Sequence, residues 1–334
     1  MVLLSAASLC VFLAILCTGP VEIPLREVID ALFGSGNEDS VHRFIVIESR
    51  LPMALTALLA GASLSVAGLM MQTTFANPLA GPSVLGISSG ASLGVAIVIL
   101  AASALHLSPI SASGSAGAII GAMAGACAVI LLLTFLARVI QGNLTLLIAG
   151  IMVSYLASSL ISLLNIFAPA DSVKQFTVWG LGSFSATPLP SFYIFAPASL
   201  LLIMLSFLFG KPLNALLAGE RYAANMGYSI RRIRSALLFI AGMLTAVVTA
   251  FCGPIGFIGL VVPHLGRLIF RTSNHFILIP ASLLCGALTA LACALLSVIP
   301  LTNTIIPVNA ITPLFGVPVI IYLLIKRDRL PYFN

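Results

Sequence analysis

The stretch SALLFIAGMLTAVVTAFCGPIGFIGLVVPHLG, residues 235–266, decides the fold of this chain. It runs for 32 residues without a charged side chain, whereas a helix needs about 20 apolar residues to cross a bilayer. Its middle, GPIGFIG at 253–259, weakens any single helix, because proline removes a backbone hydrogen bond and glycine loosens the turn. We therefore predict two membrane passes, 235–252 and 255–270, with a break between them.

The composition of the whole chain is that of a membrane protein. Of its 334 residues, 60% are hydrophobic and 7% are charged, and the mean hydropathy is +1.18, whereas soluble domains carry about 25% charged residues. The net charge of +6 would also suit a nucleic-acid-binding protein, but the basic residues form no continuous stripe with aromatic residues between them. They punctuate the apolar runs, as in proteins with several spans. We expect the lipid bilayer as a partner and no nucleic acid.

Ten apolar runs are long enough to be membrane helices. This count predicts an all-α, polytopic membrane protein in which residues 1–334 form a single transmembrane domain, with both termini on the same side of the membrane. The predicted spans are 2–18, 51–71, 83–105, 115–139, 144–167, 192–209, 235–252, 255–270, 276–299 and 307–325.

The charges of the loops indicate on which side of the membrane the termini lie. With both termini in the cytoplasm, eleven Lys and Arg residues are cytoplasmic and four are outside, which is the bias of the positive-inside rule. The outer residues are Arg26, Arg43, Arg50 and Lys174. The cytoplasmic residues are Arg138, Lys211, Arg221, Arg231, Arg232, Arg234, Arg267, Arg271, Lys326, Arg327 and Arg329.

No Asp or Glu falls inside a predicted span. A charge at the centre of a bilayer costs at least about 2.5 kcal/mol and is kept for a purpose, commonly proton or cation coupling. The absence of acids therefore argues against an ion-coupled secondary transporter. One that uses the carbonyls of broken helices stays open as the alternative.

Signatures of enzymatic chemistry and of metal binding are missing from the sequence. There is no G-x-x-x-x-G-K-[ST] motif for ATP. The six cysteines form no C-x-x-C pair and have no nearby His that would complete a zinc site. His264 is the only histidine in a predicted span, and no nucleophile accompanies it. We predict neither an enzyme nor a metal site, and interpret His264 as structural or as part of a gate.

The charged stretch LLAGERYAANMGYSIRRIRSALL, at 216–238, falls on the cytoplasmic side. Good helix formers predict a short helix over 213–226, which Gly227 ends in a left-handed conformation, and Ser229 suits the N-cap of the next span. The predicted helix keeps several apolar residues outside the membrane, and such an exposed face suggests a docked partner. These residues are Leu216, Leu217, Tyr222, Ala223, Ala224 and Met226.

The segment 19–50 is the one sizeable polar stretch on the predicted outer side. Within it, VEIPLREVIDALFG places Ile23, Val28 and Leu32 at helical spacing. This pattern predicts a short helix that lies on the outer surface.

Small residues recur in register in two predicted spans. Glycines repeat every four residues in GISSGASLG, from Gly86, and in GAIIGAMAG, from Gly117. Such stripes let helix backbones approach closely in lipid, so tight packing is the favoured interpretation. The other interpretation is a pore lining, to which Ser88, Ser89 and Ser92 would add hydroxyl groups.

Five motifs resemble one known family. RLPMALTALLAGASLSVAG, NPLAGPSVLGISSGAS, LAGERYAANMG, GPIGFIGLVVPHLGR and PVNAITPLFGVPVIIYLL look like the FecCD-type ABC-importer permeases for iron–siderophore complexes, haem and vitamin B12. The motifs are long and stand in the family's order from about residue 45 to 326. The resemblance covers most of the chain.

The resemblance implies a type II ABC importer fold with ten transmembrane helices in a bacterial plasma membrane. The permease would pair with a second copy or a related permease, bind two cytosolic ATPases, and receive its substrate from an external binding protein. ATP and Mg would belong to the ATPases, and this chain would bind no cofactor. The family's substrates share these motifs, so the chelate itself is not predicted.

The resemblance also implies roles for particular residues. A coupling helix in the segment 213–227 would sit on the ATPase through Leu217, Gly219, Glu220, Arg221, Ala224, Met226 and Gly227. The loop of Asn77, Pro78 and Leu79 would close the cytoplasmic mouth as the first gate, and the turn of Gly142, Asn143 and Leu144 would form the second gate. To these gate and path candidates we add Ser88, Ser89, His264 and Asn309 from their residue types and positions in the sequence. Arg43 and Arg50 would dock the binding protein.

Two positions depart from the family pattern. The second span often begins RLPR in the family, and here Arg50 is kept while Met53 replaces the second basic residue. Arg43 is a candidate to compensate for that loss. Asn309 stands where the family usually has a glycine before the last span, which predicts a different shape where the substrate should pass.

Overall fold

The structure is a computed structural model, and it describes residues 1–34, 41–101, 115–140, 142–298 and 306–325. Within these ranges the chain folds into fourteen helices. In chain order they are α1 (Val2–Cys17), α2 (Leu25–Phe33), α3 (Val41–Thr74), α4 (Ile87–Ala101), α5 (Ser115–Val139), α6 (Asn143–Phe167), α7 (Ala170–Gly180), α8 (Leu189–Phe207), α9 (Gly210–Leu217), α10 (Glu220–Asn225), α11 (Ile230–Cys252), α12 (Ile258–Phe270), α13 (His275–Ser297) and α14 (Val308–Ile325).

Six of the described helices are long and apolar enough to cross a membrane, namely α3, α5, α6, α8, α11 and α13. Four shorter helices, α1, α4, α12 and α14, are also apolar. These helices coincide with the ten predicted spans, so the all-α prediction and the positions of the apolar helices are confirmed. That all ten cross the bilayer stays a prediction. The ends of two predicted spans, at 102–105 and 299, and the basic residues from Lys326 onward lie outside the described residues.

The break predicted within 235–266 is confirmed. Helix α11 ends at Cys252 and α12 begins at Ile258. In the connection, Gly253 and Phe257 have φ angles of +75° and +66°, and a positive φ is uncommon for a bulky residue. The N–H of Ser183 donates to the carbonyl of Cys252 at 2.8 Å. This bond satisfies a carbonyl that the end of α11 leaves open.

Helix α3 organises the core. Most of its apolar window is buried, and it packs against α11, α12 and α13. Its first turns pass through a π-helical turn at Ile45–Arg50. This corrects one boundary of the predicted outer segment 19–50, because residues 41–50 are helical and continue into the span. The short helix predicted in that segment is confirmed as α2, with Val28 fully buried.

The glycine stripes bring α4 and α5 together. A Cβ atom at Gly90 would lie 2.8 Å from the carbonyl oxygen of Gly125, and one at Gly121 would lie 2.8 Å from that of Gly94. Only residues without a side chain allow backbones this close. The structure therefore supports tight packing for these four glycines.

The loop after α3 folds back along the helix. A Cβ atom at Gly259 would lie 2.9 Å from the carbonyl oxygen of Leu64 and 3.1 Å from the ring of Pro82. Leu64 precedes the end of α3 by ten residues, or roughly 15 Å at 1.5 Å per residue. The segment around Pro82, between the predicted spans 51–71 and 83–105, therefore reaches well into the helical body.

Candidate functional site

The segment 210–227, from α9 to Gly227, differs from the predicted single helix. Helix α9 ends at Leu217 and α10 runs from Glu220 to Asn225. Gly219 separates them with a φ of +113°, a conformation that favours glycine. The predicted left-handed end is confirmed, because Gly227 has a φ of +86°. The good helix formers on both sides of Gly219 predict one continuous helix, but the positive φ angle of this glycine interrupts it.

The predicted partner-binding face is exposed, except for the residues that anchor it. Leu217, Tyr222 and Met226 are 52%, 53% and 57% exposed. Ala223 is buried and Leu216 is partly buried against the core. Of the predicted coupling residues, Gly219 is half-buried, and the others are exposed: Leu217, Glu220, Arg221, Ala224, Met226 and Gly227. Large apolar side chains thus project from the segment beside a carboxylate and a guanidinium.

Glu220 joins this segment to two other helices. Its Oε1 accepts a hydrogen bond from Nη2 of Arg234 at 2.6 Å and another from Nδ2 of Asn143 at 3.2 Å. Arg234 lies in the first turns of α11 and is only 8% exposed, so the carboxylate compensates a largely buried charge. Asn143 begins α6 and belongs to the predicted second gate. The structure therefore brings a predicted coupling residue and a predicted gate residue into direct contact.

The turn before α6 has the geometry that its sequence suggests. Gly142 has a φ of +128°, and its carbonyl accepts the N–H of Leu146 at 3.3 Å. Leu144 is 68% exposed. A left-handed glycine therefore presents a large apolar side chain next to Asn143.

The predicted first gate is a tight loop held by a histidine. Oδ1 of Asn77 accepts the N–H of Leu79 at 2.9 Å, an Asx turn that fixes the loop internally. His264 of α12 is 2% exposed, and its Nε2–H donates to the carbonyl of Pro78 at 2.8 Å. Leu79 remains exposed. The structure therefore places His264 against the gate loop.

A buried amide lies behind this loop, and sequence reasoning missed it. Gln72 donates from Nε2 to the carbonyl of Leu260 at 2.9 Å, and its Oε1 accepts Nη1 of Arg267 at 2.6 Å. Nε2 of Gln72 also lies 3.4 Å from Nε2 of His264. Since both nitrogens are already donors, we interpret this approach as a contact and not as a hydrogen bond. The available signal was a glutamine within a long apolar helix, which in membrane proteins usually has a partner.

A second histidine was also missed. His275 begins α13, is buried, and lies 2.8 Å from Oγ1 of Thr73 and 2.8 Å from Oδ1 of Asn214. The predicted span 276–299 begins one residue after His275 and leaves this histidine outside the helix. Its pattern with Asn274, which accepts the N–H of Phe276 at 3.0 Å, is that of a capped helix start.

A cleft is lined by Asn309 and by the connection between α11 and α12. The cleft has a volume of about 360 Å³ and is lined by Ser83, Ser88, Pro254, Ile255, Gly256, Phe257, Asn309 and Pro313. Asn309 donates from Nδ2 to the carbonyl of Pro254 at 2.6 Å and accepts the N–H of Gly256 at 3.1 Å. Ser88 and Asn309, both predicted path residues, therefore share one cavity, while Ser89 is not among its lining residues.

The two predicted docking arginines occupy different environments. Arg50 is 6% exposed; its Nη1 donates to the carbonyl of Leu16 at 2.8 Å and its Nη2 to that of Val21. It ties the end of α1 to the start of the α3 span, and its guanidinium is buried and bonded to backbone carbonyls of this chain. Arg43 is half-buried on the first turn of α3. Arg50 is therefore held within the chain while Arg43 is partly accessible, and the docking roles of both stay predictions.

Groups that bind metals do not gather in the described ranges. There, no set of three or more His, Cys, Asp and Glu side chains is arranged to hold a metal ion. The six cysteines are free, and Cys252, Cys285 and Cys293 are buried within helices.

Comparison with known proteins identifies the family of this chain. A model of the FecCD transport family matches residues 6–326. The chain belongs to the FecCD transport family. It is 36% identical over 287 residues to the vitamin B12 import system permease protein BtuC of Photorhabdus laumondii subsp. laumondii, an alignment that covers 86% of this chain and 83% of that protein. It is 34% identical to the hemin transport system permease protein HmuU of Yersinia pestis over 85% of this chain and 84% of that protein.

The fold leads to the same family. A solved structure described as a metal-chelate type ABC transporter in an inward-facing conformation superposes with a TM-score of 0.84, at 26% identity and with 97% of each chain covered. FecCD proteins are ABC transporter permease subunits, which work with separate ATPase and binding-protein partners and are not themselves enzymes. The resemblance read from the five motifs is thereby confirmed.

Proposed function

We propose that this FecCD permease is the membrane-spanning subunit of an ATP-driven importer that takes up a metal chelate, haem or vitamin B12. It lies in a bacterial inner membrane with both termini in the cytoplasm. Support comes from the family match over residues 6–326 and from relatives named for vitamin B12 and hemin transport. The charge bias of the loops supports the orientation.

The observation that carries this proposal is the contact of Glu220 with Asn143 and Arg234. The segment 210–227 presents exposed apolar side chains on the predicted cytoplasmic side, which suits docking into a groove of an ATPase. When the ATPases close on ATP, the segment moves with them. Glu220 then carries that motion to α6 and α11, and the permease changes between two packed arrangements.

The arrangement of the outer helices suits a larger assembly. Only 22% of the apolar window of α6 and of α8 is buried, as expected of helices that meet lipid or a second permease. The complete importer contains two permeases, identical or related, two ABC ATPases, and an external binding protein that docks near Arg43. ATP and Mg act on the ATPases.

The translocation path runs past the cleft of Ser88 and Asn309 and ends at the cytoplasmic gates. The gates are the loop Asn77–Leu79 and the turn Gly142–Leu144, with Ser89 near the first of them in sequence. Hydroxyl and amide groups beside apolar walls suit a large chelate that must enter, pass and leave.

Reconstitution tests the proposal. The permease is purified with its ATPase, placed in liposomes and supplied with its binding protein, and the uptake of cyanocobalamin, haemin and a ferric hydroxamate siderophore is measured with and without ATP. We expect ATP-dependent uptake of one of the three, matched by the probe that the binding protein binds in titrations. Uptake that is driven by an ion gradient and needs no ATPase would make the chain a secondary transporter and overturn the proposal.

A further inference from the structure

A chain of hydrogen bonds connects helix α9 to the first gate loop. Asn214 lies on α9, and its Oδ1 accepts the backbone N–H of His275 at 2.8 Å. The ring of His275 reaches Oδ1 of Asn214 through Nδ1 and Oγ1 of Thr73 through Nε2, each at 2.8 Å. Thr73 lies in the last turn of α3, immediately before the loop. The three side chains thus join three separate helices.

The donors and acceptors of this chain are consistent with a single neutral form of His275. Oδ1 of Asn214 already accepts a backbone N–H, so it is the amide oxygen, and the ring must donate to it from Nδ1. Nε2 is then an acceptor. The one hydroxyl hydrogen of Thr73 has two acceptors within reach, Nε2 of His275 at 2.8 Å and the carbonyl of Leu69 at 3.1 Å, and the shorter contact assigns it to Nε2. Each ring nitrogen therefore has a partner, and removing the hydroxyl leaves one of them without its donor.

The same turn of α3 holds the gate loop. The N–H of Ala76 donates to the carbonyl of Thr73 at 3.2 Å, and the N–H of Asn77 donates to that of Gln72 at 3.1 Å. Ala76 takes a φ of +46°, which is strained for a residue with a side chain. On its other side the loop is held by His264 through the carbonyl of Pro78. A shift of the turn at Thr73 therefore reaches the loop directly.

Apolar packing does not fill the space between α9 and the loop. Leu216 and Leu217 of α9 face Asn77 and Pro78 across a cavity of about 190 Å³. The walls of this cavity include Thr73, Arg267 and His275. The polar side chains in its walls therefore connect the two sides, in addition to the direct packing of α9 on α3 and α13.

We propose that Asn214, His275 and Thr73 are positioning residues that transmit displacement of α9 to the gate loop Ala76–Leu79. The inference rests on the proposed function, because it assumes that an ATPase moves α9. Movement of α9 pulls on Asn214, His275 follows it at the start of α13, and Thr73 turns the end of α3. His264 keeps the far side of the loop fixed to α12, so the loop changes shape as a unit.

Thr73→Val tests the connection with little change of shape, because it replaces one hydroxyl by a methyl group. Thr74→Val is the matched control: Thr74 is equally buried, and its Oγ1 donates to Met70 within its own helix at 2.7 Å. Thr73→Ser restores the hydroxyl and serves as the conservative rescue. Asn214→Ala breaks the chain independently at its other end.

The measurement is the labelling rate of a cysteine in a Leu79→Cys background with a water-soluble maleimide. It uses the permease–ATPase complex in liposomes, with and without ATP plus vanadate, and mass spectrometry assigns the labelled residue. With Thr73 intact we expect ATP to change the rate by about threefold or more, and with Thr73→Val or Asn214→Ala by less than about 1.5-fold. Thr73→Ser and Thr74→Val should keep the full change.

Copurification with the ATPase and thermal melting show that each variant is folded and assembled. Should Thr73→Val and Asn214→Ala keep the full ATP-dependent change, the connection is wrong. Loss of the change in Thr74→Val as well would also overturn it, since the effect would then come from any hydroxyl in this turn. Absence of ATP-dependent uptake by the unmodified complex would instead refute the proposed function.

Discussion

Glu220 and Arg234 form an ion pair at 2.6 Å between helices α10 and α11, and this pair fixes the segment 210–227 to the body of the permease. Arg234 is 8% exposed, so the carboxylate compensates a charge that water cannot reach freely. The same oxygen of Glu220 accepts Asn143. Glu220, on the predicted ATPase-facing surface, is therefore hydrogen-bonded to the first turns of α11 and to the first residue of α6.

A double-mutant cycle measures this pair. Glu220→Gln and Arg234→Gln should each lower the thermal stability of the purified permease, and the double variant should lose less than the sum. Because the Glu220 side chain is half exposed, we expect a coupling energy of only about 1 kcal/mol. Arg232→Gln, an exposed arginine in the same turn of α11, is the control and should leave melting unchanged. Additive losses would show that the pair is not an energetic unit.

The crossing of α3 and α13 depends on two glycines. A Cβ atom at Gly61 would overlap the carbonyl oxygen of Gly286, and one at Gly286 would overlap that of Gly61. Gly61→Ala should therefore force the helices apart and lower stability by about 1–3 kcal/mol, seen as earlier loss of helical circular dichroism on heating. Gly180→Ala, where a Cβ meets nothing within 4 Å, should melt like the parent protein. Equal melting of both variants would contradict the close crossing.

We predict that Arg50 stabilises the fold and that Arg43 contributes to docking of the external binding protein. Arg50→Met leaves the carbonyls of Leu16 and Val21 without their donor, so we expect a loss of stability of about 1–3 kcal/mol. Arg43→Gln should leave melting unchanged and weaken binding of the external binding protein, measured by surface plasmon resonance on permease in nanodiscs. A stable Arg50→Met protein with weakened docking would restore the role that the resemblance implied.

Asn309 should control the shape of the cleft. Asn309→Ala removes the donor to Pro254 and the acceptor for Gly256, the two bonds that hold the connection beside Phe257. With Phe257 at a positive φ, we expect the connection to relax and transport to fall several-fold while assembly with the ATPase persists. Uptake assays in liposomes check this, and unchanged uptake would place the path elsewhere.

The helices of this protein could be predicted from its sequence because the bilayer imposes a length. Ten apolar runs coincide with ten helices, and the break after Cys252 followed from its glycines and proline. The helical extension of α3 back to residue 41 and the split at Gly219 were not predicted. The extension depends on a π-helical turn at Ile45–Arg50, and the split depends on the positive φ angle of Gly219. Neither backbone conformation has a sequence pattern specific enough to predict it.

The candidate site was harder to predict than the fold, because its partners are far apart in the chain. Gln72 and Arg267 are 195 residues apart, and Thr73 and His275 are 202 apart. Sequence spacing identifies polar residues in apolar helices, but it does not say which helices adjoin. Arg50 shows what a motif does not reveal: its guanidinium bonds to carbonyls at the end of α1 and in the segment after it, 34 and 29 residues earlier in the chain.

Coupling through the segment 210–227 is the central claim, and one variant tests it most directly. Glu220→Arg combined with Met226→Asp reverses a charge and removes an exposed apolar side chain on that segment. The measurement is ATP-driven uptake in liposomes that contain the permease, its ATPase and its binding protein, with Arg232→Glu as a charge-reversal control outside the segment. We predict that the double variant still inserts and folds, with a lowered melting temperature because the pair with Arg234 is lost, but loses uptake and stimulated ATP hydrolysis by about tenfold or more, while the control keeps both. Undiminished uptake and ATP hydrolysis in the double variant would contradict the account.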